Sequence, residues 1–182
     1  MVDVDEIRDL AERLLEQGEK LPSGLSQEAL AALEERVGLR FPKVLREWLY
    51  FTNGAPLPPG GFFGIRPGTG FRDYESFFDR HPDWKTKGWI PVAGDGSGNY
   101  YVLWTAPDNR CPIFFLDMHE DPERPTYVVA SELWLFVRSL LRKELMGSAW
   151  QFDRAEVLRE DPDILAFPEL TKPWEESGMS AN

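Results

Sequence analysis

The sequence predicts an α+β fold: a single mixed or antiparallel sheet of about four to six strands packed with helices from both ends of the chain. Three observations lead there. Apolar residues recur at helical spacing through the first third of the chain and again after Ser131. Between Trp89 and Val129 the pattern changes to short runs of β-branched and aromatic residues bounded by Gly, Pro, Asp and Asn. Helices and strands come in blocks, without the regular alternation that builds a parallel sheet. With 182 residues, 42% of them hydrophobic, there is material for one substantial core. Residues 1–168 are therefore expected to form one domain, in which 1–22 supply an additional N-terminal helix, and 169–182 a flexible tail.

The elements follow in order. Ile7, Leu10, Ala11, Leu14 and Leu15 share one face, which predicts an amphipathic helix from about Val4 to Gln17. Ser26 offers the next N-cap, flanked by Leu25 and Leu30 as a hydrophobic staple, and Gly38 suits a left-handed stop. A third helix is expected to open at Pro42, run through Leu45, Trp48, Leu49 and Thr52, and end at Asn53-Gly54. The Pro/Gly-rich stretch from Ala55 to Gly70 reads as a loop carrying one short strand around Phe62, Phe63 and Ile65. Asp73 to Trp84 looks helical and ends near His81-Pro82. Trp89 to Ala93 and Tyr100 to Trp104 read as a hairpin closed by Gly94-Asp95-Gly96-Ser97-Gly98-Asn99, with Ile113 to Leu116 and Thr126 to Val129 as further strands. Ser131 is the expected N-cap of a long helix that Gly147 stops, and Asp153 opens a short final helix limited by Pro162.

Charge and cysteine content restrict the function classes. A net charge of −11 argues against nucleic acid or an anionic membrane surface as the ligand, since both reward clustered Lys and Arg. A basic protein partner would be steered toward such a surface, although excess acid also serves simple solubility. The single cysteine, Cys111, can form no internal disulfide and supplies no zinc cluster. No run approaches a membrane helix and the acidic N-terminus is unlike a signal peptide, so a cytoplasmic location is expected.

The motifs that would carry chemistry fall short of what that chemistry needs. Gly94 to Gly98 spells G-x-G-x-G, but a strand should follow it where phosphate sites require a helix N-terminus. Asp95, Ser97 and Asn99 imitate a calcium loop, yet Tyr100 stands where that loop needs Gly and Ala106 where it needs Glu; a polar turn is the simpler reading. Ser97 lacks a nucleophile elbow, and Cys111 could be activated only if the fold brought His81 or His119 to it. The expectation is therefore no enzyme, no cofactor and no metal, with a carboxylate-dyad hydrolase as the least favoured alternative. The loop bearing Asp117, His119, Glu120, Asp121 and Glu123 has no basic residue before Arg124, and loops on a rigid scaffold often carry recognition. Among the aromatic residues of the strands, Tyr100 and Tyr101 must face opposite ways.

The order of several segments resembles a known family. Leu30 to Gly38 (LAALEERVG), Leu39-Arg40-Phe41-Pro42, Glu47-Trp48-Leu49 and Asn53-Gly54 are similar to the opening of the SUKH superfamily, the yeast cell-wall-assembly-regulator-like family. Trp89 to Asn99, Ile113 to Asp117 and Val129 to Phe136 are similar to its later signature. The resemblance spans roughly Ser23 to Leu140. It implies one sheet with helices around it and, in bacteria, immunity proteins that bind and neutralise a cognate toxin, often a nuclease; fungal relatives act as regulatory scaffolds. The expected function is thus neutralisation of a toxin by occluding its active site, with a regulatory scaffold as the alternative. Asp95, Asp117, Glu120 and Asp121 are the expected contacts with a basic toxin.

Overall fold

The computed structural model describes residues 2–15, 19–66, 72–106 and 110–176. Among these residues eight α-helices surround one antiparallel sheet whose strands lie in the order β1-β2-β3-β4. This is the α+β architecture that the sequence predicts, at the lower end of the expected strand number.

Helix α1 (Val4–Leu14) is capped by Asp3, whose carboxylate accepts from the Asp5 N–H, and lays Ile7, Leu10 and Ala11 into the core. The expected extension of this helix to Gln17 ends on residues outside those described. Helix α2 (Gln27–Val37) starts at Ser26, whose Oγ accepts from the Ala29 N–H, and stops at Gly38 with φ +70°. Helix α3 (Lys43–Phe51) begins one residue later than expected, because Pro42 is extended (ψ 154°) and serves as the cap. Its Trp48 is fully buried, with ring contacts to Phe62 at 5.1 Å and Trp134 at 5.6 Å. Asn53, beyond the helix, holds Ile65 at both ends of the residue: Oδ1 accepts its N–H at 2.7 Å and Nδ2 donates to its carbonyl at 3.3 Å.

Among its described residues the Pro/Gly loop forms no full strand. Phe62 makes only an isolated bridge to Ala93, but the Phe63 N–H donates to the Val92 carbonyl and the Gly94 N–H to the Gly61 carbonyl, so this segment covers the outer edge of β1 (Trp89–Gly94). The part of that loop over 67–70 lies outside the described residues. The expected helix from Asp73 to Trp84 is two helices, α4 (Tyr74–Arg80) and α5 (Asp83–Lys87), since Pro82 cannot continue the first. Asp73 caps α4 through the Ser76 N–H and also accepts from the Arg66 N–H at 2.7 Å.

Strands β2 (Tyr100–Trp104), β3 (Ile113–Leu116) and β4 (Tyr127–Ala130) complete the meander. Alternation sorts their side chains to two covered faces. Tyr101 meets Phe136 of α6 (Leu133–Met146) at 4.9 Å, while Tyr100 meets Phe77 at 5.2 Å and Trp84 at 5.9 Å. Helix α1 packs mainly on α6, and Glu6 pairs with Arg142 there.

Two expectations for the C-terminal third change. Ser131 does not cap α6; Glu132 holds the cap position without a side-chain bond, because the Ser131 N–H and hydroxyl are both taken by the Asp161 carboxylate. Asp153 does cap α7 (Arg154–Glu160), accepting from the Glu156 N–H at 3.0 Å, and a short 3-10 turn (Pro162–Ala166) follows. The segment expected to be a loose tail is held to the sheet as far as α8 (Pro173–Glu176). The Val128 N–H donates to the Thr171 carbonyl at 2.9 Å along the free edge of β4, and the buried Lys172 ammonium donates to the carbonyls of Phe167 and Leu170. An edge strand with open N–H groups is thereby closed by the chain's own end. Residues 177–182 lie outside those described.

Candidate functional site

A four-stranded meander has two ends, and the sequence loads them differently. The β1–β2 turn and the β3–β4 loop project from one end; the β2–β3 connection and the β4–α6 junction lie at the other. The four acidic residues expected to bind a partner all fall at the first end.

The turn is organised by Asp95. Its Oδ1 accepts the N–H groups of Ser97 at 2.7 Å and Asn99 at 3.0 Å, and its Oδ2 accepts from the Asn99 side-chain amide at 2.9 Å. The loop is organised in the same manner by Asp117, whose Oδ1 accepts from the N–H of His119 at 2.8 Å and of Glu120 at 3.1 Å. Asp121 accepts from the Glu123 N–H at 3.0 Å. Short acidic side chains turning back on their own backbone are the ordinary chemistry of tight loops.

Asn99 joins the two loops. While its amide nitrogen serves Asp95, its Oδ1 accepts the Met118 N–H at 3.0 Å. A Cβ on Gly98 would stand 3.6 Å from the His119 ring, which shows how close the two loops run. The structure therefore brings Asp95, Asp117, Glu120 and Asp121 to one rim but gives them unequal tasks. Asp95, Asp117 and Asp121 are half-buried and shape the loops, whereas Glu120 is exposed. Glu123 is exposed as well, but Lys87 pairs with it at 2.6 Å and with Asp83 at 3.1 Å. The expected cluster was legible as composition; the role of Asn99 was not, although in a meander the first and third connections must emerge on the same side.

The other end holds an open groove of about 1080 Å³. Cys111 lines it, and among the described residues that line it there is no histidine. His119 follows the far end of the four-residue strand β3, about 13 Å from the near end at a strand's rise per residue. His81 stacks on Phe77 at 4.6 Å and lies 5.8 Å from Trp84, and burial lowers its pKa below the ordinary imidazole value. The groove does contain a pair of carboxylates. Asp161 is raised from its ordinary value by desolvation, opposed by its bonds from Ser131, and Glu132 is raised by desolvation and then by the charge of Asp161. Both oxygens of Asp161 are already occupied by Ser131.

Among the described residues no group of His, Cys, Asp or Glu is arranged to hold a metal ion, and no helix is long and apolar enough to cross a membrane. The model of the SMI1 / KNR4 family (SUKH-1) matches residues 24–139. No curated protein matches the chain.

Proposed function

The chain belongs to the SMI1 / KNR4 family (SUKH-1), and from that premise we propose that it is an immunity-type protein, binding a cognate toxin in the cytoplasm and covering that toxin's active site. The observation that carries the reading is the acidic rim. Two loops, each folded around its own aspartate, are tied side by side by Asn99 and present Asp95, Asp117, Glu120 and Asp121 from one end of a rigid sheet. A pre-formed rim spends little ordering entropy on binding, and its charge steers a basic partner during encounter. A nuclease, whose cleft is basic because its substrate is anionic, has the complementary surface. The role proposed is binding, without catalysis.

Charge reversal at Glu120 is the clean test, since that side chain is exposed and its carboxylate does not hold the loop. Against a purified candidate toxin, Glu120→Lys is expected to lower the association rate about tenfold at low salt, to lose that effect at high salt, and to change the dissociation rate less. Association kinetics that ignore both the substitution and the salt would remove the rim from the interface.

A further inference from the structure

We infer that the groove at the opposite end of the sheet is a second docking site, taking a segment of a partner protein that presents a lysine or arginine between apolar side chains. It is separate from the rim and stands whether or not the rim meets a toxin. Its construction comes first. Val44, Cys111 and Trp134 on one wall lie within the stretch that the family model matches, whereas Asp161, Asp163 and Phe167 on the other lie beyond it. The groove is completed by the C-terminal extension, which folds back against β4 and α6. At about 1080 Å³ and open, it lies at the upper end of the about 300–1,000 Å³ typical of small-molecule sites and has room for a length of chain.

Charge then selects the occupant. The basic residues of the groove are already engaged. Arg138 and Arg159 share Glu160 at 3.0 and 3.3 Å, Lys43 pairs with Glu47 at 3.5 Å, and Arg110 donates to the Ala166 carbonyl with its guanidinium 4.3 Å from the centre of the Phe167 ring. No lysine or arginine among the described residues forms an ion pair with Glu132, Asp161 or Asp163. At Glu132 and Asp161, burial and then a neighbouring carboxylate disfavour the charged form, opposed by the charge of Arg138 at Glu132 and by the Ser131 bonds at Asp161. An incoming cation relieves that repulsion, while an acidic segment would increase it. Trp134 and Leu135, half-buried beside them, offer apolar contact to its neighbours.

The probe is a random dodecapeptide library displayed on phage and panned on the intact protein, followed by titration of the synthetic consensus peptide. The groove variant is Glu132→Gln with Asp163→Asn, both exposed positions whose side chains are not tied into the fold. Far-UV circular dichroism and a thermal melt verify that it folds. The expected result is a consensus with a basic residue between apolar ones, bound about tenfold more weakly by the groove variant and equally well by Glu120→Lys. An acidic or purely apolar consensus, failure to recover any, or equal affinity for the folded groove variant overturns the inference. Loss of toxin association in Glu120→Lys with peptide binding intact would concern the rim alone.

Discussion

Replacing Asn99 by alanine should uncouple the two acidic loops at a cost that the structure allows to be estimated. Two side-chain bonds disappear, the one to the Asp95 carboxylate at 2.9 Å and the one from the Met118 N–H at 3.0 Å. A net hydrogen bond is worth about 1 kcal/mol, more when one partner is charged and less when it is half exposed, so the loss should be about 2 kcal/mol. For a chain of this length that corresponds to a fall in Tm of about 4–8 °C. Asn99→Asp is the sharper variant. It keeps the shape but sets a second carboxylate against Asp95 at the distance of the former hydrogen bond, adding about 1–3 kcal/mol of repulsion in a solvent-screened site. Asn99→Asp should therefore be less stable than Asn99→Ala at neutral pH and recover toward it at about pH 4, as acid neutralises the introduced carboxylate. Urea unfolding at the two pH values gives the ordering, and amide exchange at Met118 reports whether the loops have parted. A loss below about 0.5 kcal/mol for Asn99→Ala with an unchanged Met118 amide would refute the pin, being no more than an ordinary surface substitution.

Two further expectations test the interior. The Tyr74 hydroxyl is fully buried and without a hydrogen-bond partner, and burial pushes its pKa up, so Tyr74→Phe should stabilise the fold by about 1 kcal/mol in urea unfolding, whereas a destabilised variant would mean that the hydroxyl is satisfied. Glu132 and Asp161 have raised folded pKa values, so the folded state holds more protons than the unfolded one above the usual carboxylate range, and their contribution to stability is complete at low pH and lost as pH rises through the folded values. Glu132→Gln should accordingly gain stability on wild type at neutral pH and lose that gain below about pH 4, in paired urea midpoints; a gain confined to low pH would have the opposite sign and reject the argument.

What the sequence revealed of this fold was whatever depends on near neighbours. Ser26, Gly38, Asp153 and Gly147 sit at helix ends because their conformations and short side chains act within a few residues, and each holds the place that pattern alone assigns. The hairpin from Trp89 to Trp104 follows from alternation and a turn of suitable composition, and its register places Ile90 opposite Leu103. Ser131 shows where such reasoning ends. Locally it has every qualification of an N-cap, but Asp161, thirty residues later, takes its hydroxyl and N–H, and a tertiary carboxylate outcompetes the helix. The tail as far as Glu176 departs from expectation for the same reason: composition after Pro168 is polar, and nothing in it announces that Thr171 will satisfy Val128 or that Lys172 will bury its ammonium among carbonyls.

The two surfaces divide along the same line. Every carboxylate of the rim could be counted from the sequence, because a connection between antiparallel strands must be exposed and these two connections are acidic. The groove could not, since it belongs to no segment: α3, the β2–β3 connection, α6 and the C-terminal extension each contribute a side that is unremarkable alone. A carboxylate such as Glu132 reads in sequence as one more solvated acid. Only in the fold does partial burial raise its pKa, with the charge of Asp161, from a helix end outside the matched region, adding to that rise.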